Sequence, residues 1–262
     1  MTLKDALYRL FSYTCHYLTA TNTLGYGIHS PSLYYMVRFL FYDENAYYCF
    51  SSIEQQRIRL LRATKELQVE DFGTGKSGKR RLNQIAASSL MPRKDAQLLF
   101  RLVNHLKPET IIELGTSLGI STSYLSFAAP QARVLTFEGS NAVLQEAKKV
   151  FDLLQCKNVT TIEGDIDNTL PDCLKTINKL DFVVMDANHT YEATMRYFNL
   201  LLPFCHEKTI LVADDIHYSV QMNRAWQQMC AAEKVTASMD LYGLGLLFFD
   251  RHLGKHQYKI RI

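Results

Sequence analysis

The sequence predicts an α/β fold: a doubly wound, mostly parallel, seven-stranded sheet with a C-terminal antiparallel hairpin and an N-terminal helical extension. Three observations lead there. From residue 95 onward, short apolar runs alternate with segments of helical periodicity, and strands separated by helices pair in parallel through right-handed crossovers. Near the end, two strand-like runs are joined only by residues 240–243, a length that suits a hairpin turn and not a crossover. Ahead of residue 95 the composition differs, with nine of the fifteen tyrosines falling in residues 1–50.

Each element has its own signal. Leu3, Leu7, Leu10, Phe11 and Leu18 recur at helical spacing and are interrupted by Lys4, Asp5 and Arg9, the pattern of an amphipathic helix and not of a secretion signal. Ser30-Pro31 marks a helix start, a hydroxyl N-cap followed by proline at the first helical position. Leu33, Met36, Val37, Leu40 and Phe41 then form one apolar face. A third helix is expected over residues 53–67. Residues 73–94 carry six Lys/Arg and no acid, and are expected to form a basic loop and a short helix. An amphipathic helix follows over 95–106 and a short buried strand over 110–114. Helices are then expected at 120–128, 142–154, 170–177, 191–204 and 220–233. Strands are expected at 133–138, 159–163, 180–185, 209–213, 235–239 and 245–250. The division this suggests is a helical extension with a basic loop (1–94) and a sheet domain (95–262).

Composition narrows the class. The chain has 262 residues, 47% hydrophobic and 21% charged, as in an ordinary globular protein. A net charge of +3 is too small to argue for nucleic acid. Six cysteines without a C-x-x-C pair fit reduced thiols, hence a cytoplasmic location. With no run of about 18 apolar residues, no membrane span is expected.

In a doubly wound sheet, ligands bind beyond the C-terminal ends of the strands, and every candidate residue falls there. The first is the loop Glu113-Leu-Gly115-Thr-Ser117-Leu-Gly119 with Ser121 behind it. Gly115 and Gly119 let the backbone turn tightly and approach a ligand, but their spacing is not the G-x-G-x-x-G that seats a pyrophosphate. A carboxylate at Glu113 would repel a pyrophosphate and suits an ammonium or sulfonium. Glu138 ends the second strand, 19 residues after Gly119, where an acid can accept both ribose hydroxyls. Gly164-Asp165 ends the third strand. There a carboxylate can take an adenine amino group, and a solvated turn accounts for it equally.

The stretches IIELGTSLGIST, VLTFEGS, TIEGDI, FVVMDANHTYE and ILVADDIHY, in this order and spacing, resemble the class I methyltransferases, specifically the catechol and caffeoyl-CoA type O-methyltransferase group. The resemblance runs from about residue 95 to 250. It implies a Rossmann-like domain that binds S-adenosyl-L-methionine through Glu113, Gly115, Ser117, Gly119, Ser121, Glu138, Gly164, Asp165 and Asp186. It also implies a divalent cation, Mg²⁺ or similar, held by Asp186, Asp214 and Asp215 as hard oxygen ligands. Two positions depart from the family pattern: Asp215 stands for a usual Asn, and Asn188 for a common Asp. Asp214-Asp215 also reads simply as a helix N-cap.

His189, three residues after Asp186, is the candidate general base, with Asp186 beside it as its catalytic partner and His217 as second choice. The reaction implied is O-methylation of a small hydroxylated, even aromatic, acceptor. Three rival readings are weaker. GTGKSGKR at residues 73–80 nearly spells a phosphate loop but ends in Arg80 where a hydroxyl would ligate Mg²⁺. A nucleic-acid methyltransferase lacks its Asn/Asp-Pro-Pro-aromatic motif here, which reads Asp186-Ala187-Asn188-His189. A methyltransferase-like binding protein without turnover would not need Glu113, Glu138, Asp186 and the Asp pair together. The N-terminal helices are expected to form an acceptor cover or a homodimer surface.

Overall fold

The computed structural model describes residues 3–70 and 77–262. The chain divides into two compact units, residues 44–176, and residues 1–43 together with 177–262.

The second of these begins with α1 (Leu3–Thr19) and α2 (Pro31–Tyr35). Ser30 caps α2 as expected: its hydroxyl accepts from the Leu33 amide at 3.4 Å. The helix then widens into a π turn over Met36–Phe41, and Leu33, Met36, Val37, Leu40 and Phe41 are all buried. α1 is inverted relative to its hydrophobic pattern. Leu7, Leu10, Phe11 and Leu18 are 58–74% exposed, whereas His16 on the other face is 4% exposed. The buried face carries groups that find polar partners, as buried polar groups must. The leucine stripe is left facing outward.

Unit 44–176 starts with α3 (Phe50–Arg62), followed by β1 (Glu66–Val69), β2 (Gly78–Arg81), α4 (Leu82–Ser89) and α5 (Arg93–Leu106). The helix expected over 53–67 therefore stops at Arg62. β1 and β2 pair antiparallel, Glu66 opposite Arg81 and Val69 opposite Gly78. A two-stranded ribbon needs one apolar face, and alternation supplies it: Leu67 and Val69 are buried, Glu66 and Gln68 exposed. Lys79 and Arg80 thus sit in a strand, whereas a phosphate loop would place its lysine at a helix start. The first part of GTGKSGKR, residues 73–76, lies outside the described residues.

Three parallel strands follow, β3 (Thr110–Leu114), β4 (Arg133–Glu138) and β5 (Val159–Glu163), with α6 (Ile120–Ala128), α7 (Asn141–Leu154) and α8 (Ile166–Leu174) after each. The register sets Glu113 opposite Thr136 and Glu138 opposite Glu163. Leu98, Leu99, Leu102 and Val103 of α5 are fully buried, each burial contributing about 1.5–3 kcal/mol. Phe50, Phe100 and Tyr124 form an edge-to-face aromatic cluster with centroids 5.0–6.4 Å apart.

The other unit resumes with β6 (Leu180–Met185), α9 (Tyr191–Leu201), β7 (Cys205–Asp214), α10 (Val220–Ala231), β8 (Ala237–Asp240) and β9 (Leu244–Phe248). β6 and β7 are parallel, β9 runs antiparallel to β7, and β8 and β9 form the expected hairpin. An eighth sheet strand, β10 (His256–Lys259), lies parallel to β8 and was not foreseen. Its four residues bury only Tyr258, too little apolar pattern to register as a strand. Parallel strands with intervening helices and a closing hairpin are the α/β class expected. Among the described residues, no helix is long and apolar enough to cross a membrane.

Gly245 of the hairpin lies under Trp226 of α10, and a Cβ there would come within 2.5 Å of the indole ring. The ring is 2% exposed and has no room to retreat. Gly245→Ala is expected to lower unfolding free energy by about 1–3 kcal/mol in urea titration.

Candidate active site

The glycine loop leaves β3 directly after Glu113, with Gly115 at φ 103° and Gly119 at φ 78°. Gly119 is both the N-cap of α6 and a close-packing point, since a Cβ would meet the Phe151 ring at 2.6 Å. Only glycine satisfies both demands. Glu113 is completely buried. Its Oε2 accepts from the Thr122 hydroxyl at 2.5 Å and from the Thr136 hydroxyl at 2.6 Å, while Oε1 has no hydrogen-bond partner in the protein. Burial pushes its carboxyl above the ordinary value, and the neighbouring Ser121, Thr122 and Thr136 hydroxyls offset part of that.

Glu138 at the end of β4 faces the same loop. Its Oε2 accepts from the Ser117 amide and its Oε1 from the Ser140 amide, both at 2.9 Å. The loop is thus tied to the carboxylate, and Ser117 holds a left-handed φ of 47° there. The Ser117 hydroxyl lies 2.7 Å from that of Ser89. Gly164 (φ 119°) ends β5, and Asp165 caps α8 by accepting from the Asp167 amide at 3.1 Å. The structure therefore gives Asp165 an N-cap role. Glu113, Gly115, Ser117, Gly119, Ser121, Glu138, Gly164 and Asp165 all sit at the C-terminal ends of β3, β4 and β5 or just beyond.

In the other unit, β6 and β7 are neighbours with Met185 opposite Ala213, which brings Asp186 beside Asp214. His189 Nε2 lies 3.5 Å from Asp186 and 3.9 Å from Asp215. Burial holds the His189 imidazole below its ordinary value, with the Asp215 charge opposing. Tyr218 is tilted beside it, ring centroids 5.9 Å apart, and Arg9 lies 4.0 Å over the Tyr218 ring. Two strained residues shape this corner, Asn188 (φ 51°) and Asp215 (φ 55°). The Asn188 amide donates to the Tyr197 hydroxyl at 2.7 Å.

The three carboxylates behave differently from one another. Asp214 is buried and its Oδ1 accepts from the Asp215 amide at 2.9 Å. Among the described residues, only His16, His217 and Asp240 have three metal-ligating atoms within 4.8 Å of one another. Asp186, Asp214 and Asp215 are adjacent without being gathered in that way. His217, the second candidate base, is committed elsewhere: its Nε2 lies 2.9 Å from Asp240 and its Nδ1 3.1 Å from Asn223. The Asp240 pairing had no sequence signal, because 23 residues and a helix separate the partners.

The fold, with its candidate residues at the strand ends, is shared with solved methyltransferase structures. Residues 112–216 match the family model described as a methyltransferase domain. No curated protein sequence matches the chain. Solved structures share the fold at low identity. One is an O-methyltransferase from Bacillus cereus in complex with SAH: 14% identity, 78% of this chain, 92% of that one, TM-score 0.56. Another is the O-methyltransferase TomG from Streptomyces achromogenes, involved in tomaymycin synthesis, in complex with SAM: 19% identity, 62% and 82% covered, TM-score 0.52. A third is the SAH-bound methyltransferase PaMTH1 of Podospora anserina: 12% identity, 79% and 99% covered, TM-score 0.55.

Glu113 makes a stability prediction with a definite sign. Its folded-state value is raised, so between the ordinary value of 4.5 and that raised value the folded state holds more protons than the unfolded state. Stability contributed by this group therefore falls as pH rises through that window. Glu113→Gln keeps an oxygen for Thr122 and Thr136 without the buried charge. It is expected to be more stable than wild type by about 1 kcal/mol in urea titrations at pH values above that window, with the difference shrinking as pH falls through it.

Proposed function

We propose that this protein is an S-adenosyl-L-methionine-dependent O-methyltransferase acting on a small hydroxylated acceptor. The observation that carries the reading is the pair of carboxylates at the glycine loop. Glu113 keeps one buried oxygen without a partner, and Glu138 is held in place by the loop's own amides. A buried oxygen without a donor fits a ligand that brings one, and an ammonium does so. Glu138, at the end of β4, serves as the ribose carboxylate in this reading, and Gly115, Ser117, Gly119, Ser121 and Gly164 offer backbone and hydroxyl groups to the same ligand. Asp165 serves the adenine end through the turn that it caps. S-adenosyl-L-methionine supplies an electrophilic methyl group when bound.

The chain's own part is then to orient the acceptor and take its proton. His189, neutral at physiological pH because burial depresses its value, accepts that proton, and Asp186 and Asp215 stabilise the imidazolium that results. Asp186 also serves as a cofactor-binding residue in this reading. Asp186, Asp214 and Asp215 have the hard-oxygen chemistry that Mg²⁺ requires, but their oxygens are not gathered, so no proton step depends on a cation. In this assignment residues 95–262 form the cofactor-binding domain and residues 1–94 shape the acceptor's surroundings. The outward leucine stripe of α1 supports a homodimer, because a soluble monomer seldom exposes so continuous an apolar face.

Three outcomes are expected. Calorimetry with S-adenosylhomocysteine should show binding that weakens by about 10–100-fold in Glu138→Ala, since charge-assisted hydrogen bonds to the ribose are lost. Unchanged affinity would remove the ribose assignment. In a screen of hydroxylated acceptors with and without Mg²⁺, His189→Ala should lower kcat by about 10²–10⁴-fold. The acid limb of the wild-type rate should lie below pH ~6.5 and disappear in that variant.

A further inference from the structure

One group of three ligating side chains is gathered among the described residues. It joins His16 of α1, His217 of the segment after β7, and Asp240 at the end of β8. Their side chains are 3%, 11% and 7% exposed. The two Asp240 oxygens face different rings: Oδ2 lies 2.9 Å from His217 Nε2, and Oδ1 lies 3.3 Å from His16 Nδ1.

The outer contacts define what each ring offers. His16 Nε2 lies 3.2 Å from the Ile260 carbonyl, which only accepts, so Nε2 carries a proton. In the neutral ring Nδ1 then presents a lone pair. That atom is buried, has no hydrogen-bond partner, and points at a carboxylate oxygen. Two lone pairs so placed repel unless positive charge lies between them. His217 Nδ1 lies 3.1 Å from the Asn223 side-chain amide, which can present either its nitrogen or its oxygen. With the oxygen presented, Nδ1 is the protonated nitrogen and Nε2 is free to ligate. Each histidine therefore has its distal nitrogen held by a carbonyl or an amide, the outer-shell arrangement that orients metal-bound imidazoles.

We propose that His16, His217 and Asp240 form a binding site for Zn²⁺ or a similar borderline divalent transition-metal ion. Two imidazoles and one carboxylate favour such an ion over Mg²⁺ or Ca²⁺, which prefer all-oxygen shells. Donors of a tetrahedral zinc, each about 2.0–2.1 Å from the metal, stand roughly 3.3 Å apart. His16 and His217 approach different Asp240 oxygens, at 3.3 Å and 2.9 Å, and one donor atom from each of the three residues lies within 4.8 Å of the others, so small side-chain shifts bring them onto one ion. Water completes the coordination. Tyr242 encloses the site: its ring stacks on His217 (centroids 5.1 Å, 8° between planes) and lies 5.6 Å from His16. Its amide donates to Asp240 Oδ1 at 2.9 Å.

The site is structural in its consequences. The ion cross-links α1 to the hairpin and to the segment that begins with Asp214-Asp215. It does not depend on the methyl-transfer reading, and its test needs no turnover.

The test uses the whole protein, stripped with a chelator, reloaded with Zn²⁺ and dialysed. Elemental analysis should find about one zinc per chain, and the melting temperature should rise with added Zn²⁺. His16→Gln and Asp240→Asn should each lose the retained zinc, Asn223→Ala should weaken it by about tenfold, and Asp186→Asn should keep it. Zinc-edge X-ray absorption on the wild type requires no variant and should show imidazole ligands. The proposal is overturned if the wild type retains no zinc, if its spectrum lacks imidazole scattering, or if folded His16→Gln binds zinc as the wild type does. Loss of zinc in Asp186→Asn alone would assign the metal to the acidic cluster instead and overturn it equally.

Discussion

A carboxylate completely removed from water, Glu113 at the end of β3, is the constraint around which the glycine loop is organised. A buried charge of this kind is tolerated only when hydroxyls are brought to it, and Thr122 and Thr136 come from α6 and β4 to do so. Those contacts pin the start of α6 and the register of β3 against β4. Gly119 must then turn the chain between them in a left-handed conformation, against the Phe151 ring. The loop conformation, the helix start and the strand pairing are consequences of one buried group, and the oxygen left without a partner is what makes the arrangement receptive to a cationic ligand.

The corner at the ends of β6 and β7 follows a different logic. Here Asp186 and Asp215 are partly exposed, and His189 lies within contact distance of both. Burial keeps the imidazole neutral and the flanking carboxylates favour its protonated form, a balance that suits a group meant to gain and lose a proton. Asn188 and Asp215 both hold left-handed backbone at this corner, a strain that a site's geometry can impose on the chain.

α1 joins a polar cluster to an exposed apolar surface. His16 is buried, Arg9 and Ser12 are half-buried and the leucine stripe is exposed, so the helix is bound to its own chain through Arg9, Ser12 and His16. Arg9 reaches the Tyr218 carbonyl at 3.2 Å, and Ser12 lies 3.2 Å from the Tyr242 hydroxyl. The same helix thereby supplies His16 to the histidine-aspartate group and presents an apolar surface outward.

Much of this was determined locally and was legible in the sequence. β3, β4, β5, β6 and α6 fall on their expected residues because each is a short run with a strong period or a glycine stop. The strand-end acids follow automatically, since strand ends are where ligands bind in a parallel sheet. The tertiary structure alone decided three things. The ribbon Glu66–Val69 with Gly78–Arg81 exists because a partner strand covers two residues, a condition that no single segment reveals. β10 is a strand because β8 offers it a ladder, not because its own residues demand one. The orientation of α1, and with it the meeting of His16, His217 and Asp240, was decided by polar partners up to 244 residues away in sequence. Hydrophobic periodicity can report that a helix has two faces. Only the hydrogen-bonding demands of the surface it docks against determine which face is buried.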